Sequence, residues 1–336
     1  IRMVVVRLEE GGLLAYAPVA PTRECLRLVR EIEQRHGPVR HIVLPTVSGV
    51  EHKVFAGPFA RAFPAALLHI APHQWSWPVN LPLSWLGLPA GRTRALDPRL
   101  FTALGCEVAQ LGPIDLGLGP FVEVALHHRA SRTLLVTDTL VAVPAEPPEI
   151  VQLDPQPLLF HAKDRAADAP ADTPTNRRKG WQRVCLFAFY FRPGAVCTPG
   201  LGRLLADAWQ APDHSSRAYF GLFPFQWQPD WQESFERLRA DGRAQVAPVL
   251  KTLILNRAPS EVRTWVERLA DWRFQRIVPC HFDAPLLAGP DDLRSAFAFL
   301  DRPEVASLDA DFALLHHIDR LLTASGLVPP AAERQG

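Results

Sequence analysis

The stretch from Ile42 to Pro64, IVLPTVSGVEHKVFAGPFARAFP, constrains the fold more than any other part of the chain. HIVLP is a short apolar run stopped by a proline, the pattern of a buried strand. A turn of small residues follows, and Val54, Phe55, Phe59 and Phe63 then recur at the steps of the inner face of a helix. A strand handed to a helix through a turn holding Glu51 and His52 predicts a layered α/β protein, in which chemistry collects just past strand ends. An acid beside an imidazole is weak evidence alone, because most such pairs are solvated surface. Its meaning depends on what else the chain brings to it.

The flanking elements fit such layers. MVVVRLEE and LLAYAPV, split by Gly11 and Gly12, predict a β-hairpin. Thr22 to His36 has the apolar period of an amphipathic helix, with Thr22 as N-cap and Gly37-Pro38 as its stop. ALLHIA (66–71) reads as a strand, and the loop after it, to Pro89, carries Trp75, Trp77 and Trp85. Those rings either pack over the core or wall a pocket. CEVAQLG, FVEVALHH and RTLLVTDTLVAV form a second β block, and Asp138 is the acid in its last strand. From Pro144 to about Gly180 periodicity is lost, which predicts an exposed, partly disordered connection before an aromatic-rich block, Trp181 to Asp241. A helix with Ser260 as cap, the strand FQRIVPCHF with His281 at its mouth, and two further helices complete the chain, with a frayed tail at 326–336.

With 336 residues the chain can bury a large core, and Lys+Arg 36 against Asp+Glu 35 gives no general pull toward nucleic acid. No run approaches the length a membrane-spanning helix needs. The five cysteines, spaced far apart without a CxxC, signal neither a disulfide framework nor a zinc knuckle, so a soluble protein of a reducing compartment is expected. Cys280 beside His281 is a weak nucleophile candidate, since neighbours on a strand face opposite ways and Cys280 then faces the core. Ser48 lacks the GxSxG setting of a hydrolase elbow.

Taken in order, these elements resemble the metallo-β-lactamase-like hydrolase fold. TVSGVEH (46–52) stands where that family has Thr-His-x-His-x-Asp-His: Thr46 and His52 match, Glu51 replaces the aspartate, and Val47 and Gly49 occupy the positions of the first two histidines. TLLVTDTL resembles the strand bearing the family's bridging aspartate, with Asp138 matching, and IVPCHF resembles its closing strand, with His281 matching. His127 or His128 sits about where the third histidine lies. EHKVFAGPFARAFP with the loop APHQWSWPVNLPLSWLG resembles, more closely, an uncharacterised domain-of-unknown-function branch of that fold.

The resemblance implies a four-layer αββα sandwich over residues 1–325 with an insertion at 144–246. It implies a reduced metal site of Glu51, His52, Asp138 and His281, because Val47 and Gly49 have no lone pair to offer. One Zn, Mn or Fe ion would suit three or four N/O ligands. The expected activity is hydrolysis of a small-molecule ester, thioester or phosphoester, with Asp138 orienting water and His128 or His127 donating to developing charge. The alternative is an inactive scaffold on the same fold, holding no ion and binding a small molecule or partner.

Overall fold

The computed structural model describes residues 1–77, 79–301 and 309–331, so the tail beyond 331 lies outside the described residues. The chain divides into two compact units: Ile1–Val141 with Ala244–Arg302 and the residues from Leu321, and Ala142–Arg243 with the stretch ending at Arg320.

The first unit opens with the hairpin β1 (Val4–Arg7) and β2 (Leu13–Tyr16), antiparallel as expected. Helix α1 (Arg23–His36) starts where the Thr22 side chain accepts from the Cys25 N–H and stops at Gly37, whose φ of 89° favours glycine. Strand β3 (Val39–Leu44), helix α2 (Val50–Ala62), β4 (Leu67–Ile70) and β5 (Thr93–Ala95) follow. They complete a sheet of order β1-β2-β3-β4-β5, parallel from β2 onward. After the short α3 (Pro98–Ala103), strands β6 (Cys106–Asp115), β7 (Pro120–His128) and β8 (Thr133–Val136) form an antiparallel run.

Alternation along the strands sets the layers. Leu13 and Ala15 turn outward onto Val29 of α1 and Phe59 of α2, whereas Leu14 and Tyr16 turn inward onto Val108, Val124 and Leu135 of the second sheet. Tyr16 crosses that core and its hydroxyl donates to the Val124 carbonyl at 2.8 Å. A buried phenol needs such a partner.

The second unit corrects the sequence reading. The stretch expected to be a loose connection carries α4 (Glu149–Gln152), α5 (Gln156–Ala162) and α6 (Pro174–Tyr190). Its prolines start helices rather than break them: Pro174 occupies the first turn of α6, and the Thr173 side chain caps the Asn176 N–H. The basic run NRRKGW is therefore helical, and the backbone of Leu158 presses against Gly180 so closely that a Cβ there would sit 1.8 Å from its carbonyl oxygen. Strands β9 (Val196–Cys197) and β10 (Gln226–Trp227) pair, with α7 (Leu201–Trp209) between them and α8 (Trp231–Arg239) after them. The buried guanidinium of Arg183 lies over the rings of both Trp227 and Trp231, 4.6 Å from each, and donates to the Lys163 carbonyl and to Asp164 at 2.7 Å. Two aromatic faces and a carboxylate compensate a cation taken out of water.

The chain returns to the first unit with α9 (Pro248–Leu253), α10 (Pro259–Ala270) and β11 (Arg276–Pro279). β11 joins β8 in parallel, giving the sheet order β11-β8-β7-β6. α11 (Pro290–Ala296) and α12 (Ala313–Ala324) end the regular structure. Helix α10 covers the outer face of this sheet, where Trp265 donates from Nε1 to the Ala109 carbonyl at 3.2 Å. The layers are thus α1 with α2, sheet, sheet, α10: the expected αββα sandwich. Among the described residues no helix is long and apolar enough to cross a membrane.

Trp265 is 3% exposed and binds helix to sheet through both its ring and its N–H. Trp265→Ala is expected to destabilise the protein by roughly 3–5 kcal/mol, read by urea unfolding.

Candidate functional site

The residues just past the C-terminal ends of three strands of the first unit, β3 in one sheet and the parallel pair β8 and β11 in the other, carry the chemistry. β3 delivers Thr46 to His52, β8 delivers Asp138 and β11 delivers His281. Glu51 and His52 lie not in the turn, as the sequence suggested, but in the first turn of α2.

Donor atoms of Glu51, His52 and His281 all lie within 4.8 Å of one another. Asp138 joins them through His281: its Oδ1 is 2.9 Å from His281 Nε2, and Glu51 Oε1 is 3.2 Å from the same nitrogen. These are ion-pair distances without hydrogen-bond directionality. His52 is fully buried, and its Nδ1 donates to the Pro18 carbonyl at 3.2 Å. That bond fixes the tautomer and leaves the lone pair on Nε2, a buried atom with no partner. A polar atom left so in an interior costs stability unless something binds it.

The electrostatics follow from this crowding. Burial lowers the pKa of His52 and keeps its imidazole neutral. Contact with His281 holds Glu51 below the usual carboxylate range. For His281 burial disfavours the charge, but Asp138 and Glu51 outweigh it and raise the pKa to about 9.

A residue the sequence reading missed holds the site in place. Glu123, on β7, is fully buried, and its carboxylate accepts from the backbone N–H groups of Thr137 (2.8 Å), Asp138 (3.0 Å) and Thr139 (3.0 Å), and from the Thr139 hydroxyl (2.8 Å). Burial and the Asp138 charge raise its pKa, and the four donors oppose them. Its signal in the sequence was an acid inside FVEVALHH, a strand otherwise apolar up to its histidines.

The structure does not bring His127 or His128 to this cluster. β7 runs against β8, so His128 pairs with Thr133 at the start of β8 while Asp138 follows its end, about five residues or ~16 Å along the strand. His127 instead contacts Glu107 at 3.2 Å and stacks on Trp272, and His128 contacts Ser131 at 2.8 Å. The expected role of His128 in catalysis is therefore withdrawn. Packing also leaves little room for histidines at Val47 and Gly49. Val47 is 1% exposed within the inter-sheet core, and a Cβ on Gly49 would lie 2.6 Å from Thr46 Cγ2. The tryptophan loop divides: Trp75 packs on the core and donates to the Pro120 carbonyl at 3.1 Å, whereas Trp77 and Trp85 are exposed. Cys280 faces the core, as alternation required.

Comparison with known proteins places the chain. A family model described as Domain of unknown function (DUF4336) matches residues 1–299, and the chain belongs to that family. No curated protein matches it. Similar solved structures include the DIM-1 metallo-beta-lactamase exposed to ceftazidime, at 11% identity over 88% of this chain and 83% of that one, with a TM-score of 0.39. The metal-soaked Flv1 flavodiiron core from Synechocystis sp. PCC6803 shares 12% identity over 98% of this chain and 62% of that one, with a TM-score of 0.40. A metallo-beta-lactamase from Hirschia baltica shares 9% identity over 90% and 86%, with a TM-score of 0.36. The layer order and the meeting of Glu51, His52, Asp138 and His281 past the strand ends make this a divergent metallo-β-lactamase-like fold.

Two outcomes follow from the site's charges. Glu123→Ala strands four buried donors and is expected to cost roughly 2–5 kcal/mol in urea unfolding. His281 has a folded pKa of about 9 against an ordinary 6.5. Its contribution to the stability of the metal-free protein is thus fully present below about 6.5 and lost as pH rises through about 9. The Tm difference between wild type and His281→Gln, measured by calorimetry in chelator, should be largest near pH 6 and close by about pH 10.

Proposed function

We propose that this member of the DUF4336 family is a metal-dependent hydrolase whose single ion is held by Glu51, His52 and His281, with Asp138 beside them, acting on an ester, thioester or phosphoester. The observation that carries the reading is His52: a ring nitrogen of it lies within 4.8 Å of donors of Glu51 and His281, its Nδ1 is committed to the Pro18 carbonyl, and its Nε2 has no partner. A histidine whose far nitrogen is pinned to a carbonyl is arranged as metal ligands commonly are. The donor set, two imidazoles and one or two carboxylates, suits Zn, Mn or Fe.

When bound, such an ion supplies Lewis acidity toward a carbonyl or phosphoryl oxygen and toward water. The chain supplies the rest. Asp138, its loop fixed by Glu123, would orient the attacking water and accept its proton. The protonated His281 of the free protein gives up its proton when it becomes a ligand, so metal affinity rises with pH.

A scaffold reading has one observation in its favour, the closure of the second half-site by Val47 and Gly49. Calorimetric titration with Zn²⁺ and Mn²⁺ separates the two. Wild type should bind one equivalent with a rise in Tm; His52→Ala and His281→Ala should each abolish both, and Asp138→Asn should weaken binding about 10–100-fold. A wild type that binds neither ion, with all three variants changing only stability, supports the scaffold.

A further inference from the structure

A cleft of about 570 Å³ lies in the first unit, lined by Arg2 to Arg7, by His128, Ser131, Thr133 and Leu135, and by Arg276, Val278 and the loop at Ala284. That volume falls within the roughly 300–1,000 Å³ that holds small-molecule ligands. It opens between the edges of the two sheets: β1 is the last strand of one and β11 the last strand of the other. Val4 and Val278 are the half-buried apolar side chains that face the cleft, and Leu135 and Val6 lie buried beneath them in the inter-sheet core.

The two ends of the cleft differ. At one, the Arg2 N–H donates to the Cys280 carbonyl at 2.8 Å, and its guanidinium donates to the carbonyls of Pro279 and Phe282 at 2.8 and 2.7 Å, so β1 is clamped to the end of β11. At the other, the register brings Arg276 level with Thr133, and Thr133 level with His128. Arg7 closes this end from β1 and acts on His128 through its charge. Arg7 and Arg276 are exposed, and among the described residues neither side chain makes an ion pair or a hydrogen bond. No acid lines the cleft; the carboxylate that acts on this mouth, Glu9, is outside the lining.

An apolar trough closed at one end and ringed at the other by two unsatisfied guanidinium groups is complementary to an amphiphile with a charged head. We propose that this cleft binds an unbranched aliphatic chain ending in a carboxylate, the chain over Val4 and Val278 and the head between Arg7 and Arg276. Arginine suits that head because its fork can pair with both carboxylate oxygens. The head-binding end is at the Thr133 and Arg276 ends of β8 and β11, whereas the Glu51–His281 cluster lies past their other ends.

Calorimetric titration with decanoate, decanol and butyrate, each below its aggregation concentration, tests both halves of the ligand. Decanoate should bind at one site, with decanol and butyrate each at least about tenfold weaker. The double variant Arg7→Gln with Arg276→Gln replaces only exposed side chains, so folding is preserved. It should weaken decanoate about tenfold while leaving decanol unchanged. Absence of decanoate binding, equal affinity for decanoate and decanol, or a double variant that binds decanoate as wild type does would overturn the assignment.

Discussion

The start of β7 is the jig on which the candidate site is assembled. Glu123 takes four hydrogen bonds from Thr137 to Thr139 and so fixes the loop that bears Asp138. On its other side the same strand pairs with the segment leading to Glu51 and His52: Val124 donates to the Pro45 carbonyl at 2.7 Å and Val47 to the Val122 carbonyl at 3.3 Å. The segments that carry Asp138 and Glu51 with His52 therefore hang from one short piece of backbone. A buried carboxylate at that position earns its desolvation cost only because every donor around it is a group the loop would otherwise leave unsatisfied.

Much of this was legible in the sequence, and for identifiable reasons. The hairpin at Gly11-Gly12, α1 with its Thr22 cap, and the strands β3, β4, β6, β7 and β8 each carry a period and a terminator that leave little choice, whereas the short β5 carries neither. The convergence of Glu51, His52, Asp138 and His281 was legible only through a resemblance of motifs, because nothing local in four distant segments says that they meet. The failures have physical causes as well. His128 was drawn toward the site by its distance in sequence from Asp138, yet strand direction, which spacing does not show, puts it at the other end of β7. The helices of the second unit were hidden because prolines read as breakers stand in first helical turns, where their missing N–H is no loss.

Packing at Val47 and Gly49 gives the departures from the resembled motif a meaning. Val47 is an integral part of the inter-sheet packing, and Gly49 lies too close to Thr46 to carry a side chain without movement. Restoring histidines there would bury one imidazole in an apolar core and force the other against Thr46. Packing thus fills the two positions where the resembled motif has histidines, and the proposed smaller site is built on the pinned imidazole of His52. The cleft between the sheet edges is a separate feature of the same sandwich, and its chemistry, apolar with unpaired guanidinium groups, differs from that of the acidic and imidazole cluster.

The central claim is that the unpartnered Nε2 of His52 is a metal ligand. Crystals grown with Zn²⁺ and measured on both sides of the zinc absorption edge address it directly. The account predicts one anomalous peak about 2.0–2.2 Å from His52 Nε2, shared with Glu51 and His281. A map with no peak there at full zinc loading, or with zinc only at other histidines, would contradict it.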